Sequence, residues 1–139
     1  GYRLLADTLT VAANGPGDAA ERLRACGQAY VSMARAHPGH YAVMLDDSIH
    51  DPDDEGIQHE GLRAFIQLVE TVEALRDERN PDLDVDAAAT LCWSAMHGLV
   101  ELDPVMGQLA RQLDASLAPI DERVARITDL LIEGLAPSR

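Results

Sequence analysis

Lysine is absent from this chain of 139 residues; all 11 basic residues are arginine, set against 24 acidic ones for a net charge of −13. A surface this acidic repels a phosphate backbone, which excludes nucleic-acid binding by the chain itself. Aromatic residues make up only 4%, so a core has to be assembled from Ala, Leu, Val, Ile and Met. Ala and Leu are strong helix formers, and the composition leans all-α before any pattern is read. Cysteine is limited to Cys26 and Cys92, both inside apolar helical patterns. Two are too few for a disulfide framework, and they read as reduced thiols of a cytoplasmic protein, small buried hydrophobes. No run approaches the roughly 18 apolar residues of a membrane span, and no signal-peptide pattern opens the chain. Gly1 to Leu9 reads as the middle of something, which suggests a fragment of a longer protein.

What is present is an ordinary globular composition, 47% apolar and 25% charged, with length for one core. Tyr2–Ala13 is helical in pattern and ends at Asn14-Gly15-Pro16-Gly17, a cluster that breaks regular structure. Asp18 is a suitable N-cap for the next helix, with Glu21 completing a capping-box-like pair. Along that helix Ala19, Leu23, Cys26, Tyr30, Met33 and His37 share one face. Pro38 stops it, and a short helix over Gly39–Leu45 follows. The acidic connector Asp46–Glu55 leads into a helix over Glu55–Glu78 burying Leu62, Phe65, Leu68, Val69, Val72 and Leu75. Asp84 or Asp86 caps a long helix reaching Leu102, which Asp103-Pro104 closes. Val105–Leu117 is irregular in pattern, and a last helix begins near Pro119. No segment alternates with period two, so the expectation is an all-α bundle of six or seven helices.

Two segments carry more apolar surface than a helix on a monomer's exterior needs. Val85, Ala88, Cys92, Ala95, Leu99 and Leu102 form a seam at alternating spacings of three and four, with Ala89, Trp93, Met96 and Val100 beside it. Gly98 sits mid-helix at a cost of about 1 kcal/mol relative to Ala, which a closely approaching partner helix would justify. The terminal helix repeats the pattern with Ile120, Val124, Ile127, Leu131 and Gly134. Two such helices from each of two subunits would make a four-helix interface about a two-fold axis. The competing reading packs both seams within one subunit.

The run Leu91-Cys92-Trp93-Ser94-Ala95-Met96-His97-Gly98-Leu99-Val100-Glu101-Leu102 resembles the Trp-x-x-x-His-Gly signature of one C-terminal subclass of tetracycline-repressor-like (TetR-family) regulators. Gln28–Leu45, with its His37-Pro38 corner and following Tyr41-x-x-Met44, is similar to that subclass's helix, corner and helix. The resemblance covers nearly the whole chain. It implies a homodimer through the last two main helices, with Ala95, Gly98, Leu99, Leu102, Val124, Ile127 and Leu131 in the interface. It also implies a pocket within the middle helices, where a small molecule controls DNA release by paired helix-turn-helix modules. No such module is present here. Residues 1–13 are expected to be the linker helix that follows one, and residues 14–139 the effector-binding and dimerisation domain of a regulator that acts as a repressor.

The candidate pocket residues are Tyr30, Met33, Tyr41, Met44, Phe65, Leu68, Trp93, Met96 and His97. Tyr and Trp present an apolar body with one polar handle and Met adapts to varied shapes, which suits a hydrophobic or amphipathic effector. The same stripe also serves as plain core. His37 and His40 straddle Pro38 and do not share a regular helix face; His50 with its acidic neighbours matches no calcium loop, and no Cys/His cluster fits zinc. No metal or other cofactor is expected. Nor is catalysis: there is no nucleophile elbow, no Gly-rich phosphate loop and no Glu-x-x-His pair. The alternative from another class is a stand-alone helical dimer or adaptor that binds a protein partner.

Overall fold

The computed structural model describes residues 1–46, 48, 51 and 53–138. It contains six helices: α1 (Tyr2–Ala13), α2 (Ala19–Ala36), α3 (Pro38–Met44), α4 (Glu55–Arg79), α5 (Val85–Gln112) and α6 (Ile120–Leu135). No strand occurs among the described residues, and the all-α bundle is the architecture that forms. The weighing of His50 as a cation ligand falls outside the described residues.

Aspartates start three of the helices. Asp18 Oδ1 accepts from the Glu21 N–H at 2.9 Å, Asp54 Oδ1 from Gly56 at 2.9 Å and Ile57 at 3.3 Å, and Asp84 Oδ1 from Ala87 at 3.0 Å. Each carboxylate satisfies a donor that lacks a partner within the helix and sits favourably at the positive end of the dipole. Gly17, at φ 101°, provides the left-handed turn into α2. Asn80 Nδ2 donates to the Leu135 carbonyl at 2.8 Å, tying the end of α4 to the end of α6.

The core is two apolar clusters bridged by Trp93 and Leu131, which pack against both. α1 brings Leu5, Ala6, Leu9 and Ala13 into the first cluster and packs chiefly on α4 and α2. The expected linker helix of residues 1–13 is therefore part of the bundle itself. α4 and α5 supply Leu68, Val72, Leu75, Ala88, Ala89 and Cys92 to the second. Complete burial of a Leu or Ile side chain such as Leu5, Leu75 or Ile132 contributes about 1.5–3 kcal/mol, and these positions anchor the helices.

Three local expectations need correction. α5 does not close at Asp103-Pro104 but runs through Pro104 to Gln112. The proline removes only the bond to the Val100 carbonyl, a loss that a helix of 28 residues tolerates with a local bend. Its true end is a Schellman turn: the Ala115 N–H reaches the Ala110 carbonyl at 2.8 Å, and Asp114 adopts φ 50°. Leu62 is 58% exposed because it points away from α1, whereas Ala64 and Leu68 point inward. His37 is exposed, since it is the shared cap between α2 and α3 and no longer follows the α2 face. His37, as that cap, shares no regular helix face with His40, although the two ring centroids lie 5.6 Å apart.

Replacing Asp84 by Ala removes the cap of the longest helix and is expected to lower the unfolding free energy by about 1 kcal/mol in urea titration. Asp84→Asn, which retains an acceptor, should cost little.

Candidate functional site

Five of the six helices meet at one cavity of about 40 Å³. Leu9 reaches it from α1; Leu23, Cys26, Gly27 and Tyr30 from α2; Leu68 from α4. Cys92, Trp93 and Met96 line it from α5, and Thr128 and Leu131 from α6. Gly27 is there because the helices are close: a Cβ at that position would lie 2.6 Å from Thr128 Cγ2 and 3.3 Å from Met96 Sδ. Trp93 leans on Phe65, centroids 5.6 Å apart, and meets the Tyr30 ring at 6.5 Å.

Behind this wall runs a polar chain. The Tyr30 and Tyr41 hydroxyls are 3.1 Å apart, and Tyr41 Oη lies 2.7 Å from His97 Nδ1. Having one proton, the Tyr41 hydroxyl donates to one neighbour and accepts from the other. Burial, and then the bond to Tyr41, pushes the Tyr30 phenol well above its ordinary range; burial likewise raises Tyr41. Both phenols therefore remain protonated. The polar chain joins α2, α3 and α5 and fixes the short α3, which otherwise packs mainly on α2.

Of the nine candidate pocket residues, Tyr30, Leu68, Trp93 and Met96 line the cavity. Phe65 supports Trp93, while Tyr41 and His97 belong to the polar chain. Met33 and Met44 are core side chains away from the cavity, because the His37-Pro38 corner carries α3 past it. Sequence reasoning passed over Leu9, Leu23, Gly27 and Thr128. It also took Cys26 and Cys92 for plain core, and placed Leu131 in the interface alone. A mid-helix glycine at Gly27 was the one available signal. Among the described residues no group of three or more His, Cys, Asp or Glu side chains is placed to hold a metal ion.

α5 divides its surface three ways. Ala88, Cys92 and Leu99 are buried, as is the neighbouring stripe of Ala89 and Met96. Leu99 and, on α6, Val124, both expected in the interface, are buried in the chain's own core. The seam that remains uncovered lies one position around the helix, through Ala87, Leu91, Ala95, Gly98, Leu102, Val105 and Leu109, with no charge in it. Leu91, Leu102, Val105 and Leu109 are each about half exposed, and Leu102 is 54% so. Ala95, Ile127 and Leu131 pack half-buried on the same cluster, so the exposed edges of α5 and α6 adjoin. Leu130 on α6 is 74% exposed, and a Cβ at Gly98 or Gly134 would meet nothing within 4 Å. By contrast, among the described residues nine arginines are paired with carboxylates, including Arg123 with Asp103.

The sequence matches the family described as tetracyclin repressor-like, C-terminal domain, over residues 23–133, a span holding every cavity residue but Leu9. A solved structure of a protein with unknown function from Rhodococcus sp. RHA1 superposes with a TM-score of 0.78 at 26% identity. That alignment covers 97% of this chain and 68% of the other. A search of curated proteins finds no match. Among the described residues no helix is long and apolar enough to cross a membrane.

Two measurements test the site. Tyr41→Phe strands a buried hydroxyl on Tyr30 and the Nδ1 of His97, and is expected to cost about 1–3 kcal/mol in denaturant unfolding. Burial lifts the Cys26 thiol from its ordinary 9.0 to about 11 against the smaller lowering effects of Thr71 and Arg22, and burial, then Cys26, lifts Cys92 equally. Thiol reagent at about pH 8 should therefore react slowly with the native chain and rapidly once it is unfolded. Between pH 9 and 11 the unfolded chain releases protons that the fold retains. The thiols' contribution, complete below pH 9, is thus lost as pH rises through 11.

Proposed function

We propose, on the premise that this chain belongs to the tetracyclin repressor-like C-terminal domain family, that it is the effector-sensing and dimerising domain of a transcription regulator. The cavity holds a small-molecule effector, and two copies associate through the adjoining outer edges of α5 and α6. DNA is contacted by a module outside these residues, consistent with a net charge of −13, and the regulator is a repressor released from DNA when the effector binds.

The observation that carries this reading is the shared use of α5. Cys92, Trp93 and Met96 line the cavity while Leu91, Gly98 and Leu102 face outward. An occupant that moves α5 moves the outer face with it. Leu9 brings α1 to the same cavity, so an effector also bears on the helix at the amino-terminal end. The three residues of the Trp-x-x-x-His-Gly run then have separate tasks: Trp93 walls the cavity, His97 holds α3 through Tyr41, and Gly98 lets a partner helix approach. Association through a two-fold axis places the same uncharged stripe against itself, which no charge opposes.

Leu102→Glu and Leu130→Glu each place a charge on the proposed interface without disturbing a buried side chain. Light scattering after size exclusion is expected to show a dimer for the parent chain and a monomer of unchanged helicity for each variant. A dimer that survives both substitutions would refute this interface. Arg126→Glu, on the polar side of α6, should leave the dimer intact.

A further inference from the structure

We infer that the cavity selects an uncharged, apolar molecule no larger than a single substituted ring, and rejects amphipathic molecules that would bury a charged group. This rests on the effector-domain reading and narrows it to a ligand class. The first support is the chemistry of the wall. Leucines, two thiols, a thioether and the Trp93 ring make up most of it, and no Asp, Glu, Arg or His reaches it. In a chain with 24 acidic and 11 basic residues, a lining without any ionic group leaves a buried charge with nothing to offset its lost hydration.

The second support is that the two hydroxyls among the lining residues, those of Thr128 and Tyr30, are already engaged. Thr128 Oγ1 lies 2.9 Å from both the Val124 and the Ala125 carbonyl oxygens of its own helix, and the Tyr30 hydroxyl is bonded to Tyr41. Among the described residues no buried side-chain nitrogen or oxygen lacks a partner. A polar ligand would have to break one of these bonds to gain its own; an apolar ligand breaks none. Both thiols are held protonated by burial, which makes them soft apolar surface rather than nucleophiles.

The third support is size. At about 40 Å³ the cavity is a narrow slot, smaller than the roughly 150 Å³ of a dry cavity known to accept benzene. Met96 is the wall element able to yield: an unbranched thioether with several rotatable bonds. Gly27 and Thr128 lie beside it, packed too closely for even a Cβ at position 27. One ring can enter as Met96 swings aside; a fused polycycle would have to separate helices.

Trp93 is the chain's only tryptophan and it lines the cavity, so its fluorescence reports occupancy directly. The test titrates the unaltered chain with iodobenzene, whose heavy atom quenches indole emission on contact, and in parallel with 4-iodobenzoate. Saturable quenching and a raised Tm are expected for iodobenzene, with 4-iodobenzoate weaker by about 10-fold or more, reflecting the cost of burying its carboxylate. Cys92→Leu, which fills the slot, should abolish the saturable quenching. Equal or tighter binding of 4-iodobenzoate would overturn the ligand class and leave the sensing site standing. Quenching by neither probe would overturn both the class and the sensing role, and quenching unaltered by Cys92→Leu would place the probe elsewhere and defeat the inference.

Discussion

A single helix with more apolar surface than one subunit can cover constrains this molecule. α5 presents apolar side chains inward to both core clusters and outward along Leu91, Leu102, Val105 and Leu109. An amphipathic helix normally resolves this by turning a polar face to water. Here the polar strip is narrow, carrying Asp86, Thr90, Ser94 and Glu101, all exposed. The excess surface has to be hidden by something other than this chain's own core, and a second copy is the occupant we propose.

The cavity follows from the same arrangement. α1, α2, α4 and α6 surround α5's inner side, and Gly27 lets α2 approach Thr128 and Met96 closely. The gap that is left is lined without charge, and it is bounded by helices whose other sides do other work. The polar chain Tyr30–Tyr41–His97 then locks α3 against the assembly by hydrogen bonds. Such a chain is costly to leave half-made, which gives the corner after α2 a defined position.

Much of the fold was legible in the residues. The caps at Asp18 and Asp84 and the periodic apolar positions located helix starts, because capping and amphipathicity are local signals. The end of α5 was not legible, since Pro104 and its preceding Asp103 imitate a stop and the actual terminator is Asp114 in a left-handed conformation usually given to glycine. The site was only partly readable. Trp93 and Met96 reveal themselves by type, but Leu9, Leu23 and Thr128 differ in no way from ordinary core residues until the helices are packed. Of the outer seam, Ala95, Gly98 and Leu102 were singled out from the residues and Leu91, Val105 and Leu109 were not, for a related reason: on a helix apolar nearly all round, periodicity gives several equivalent stripes, and tertiary contacts alone decide which is left over.

If α5 serves the cavity and the outer face together, the two equilibria are thermodynamically linked. Sedimentation equilibrium of the unaltered chain, without ligand and saturated with iodobenzene, measures that linkage directly. The account predicts a reversible dimer whose dissociation constant shifts by about 5-fold or more on saturation. A monomer at every concentration, or a dimer whose constant is the same in both conditions, would contradict it.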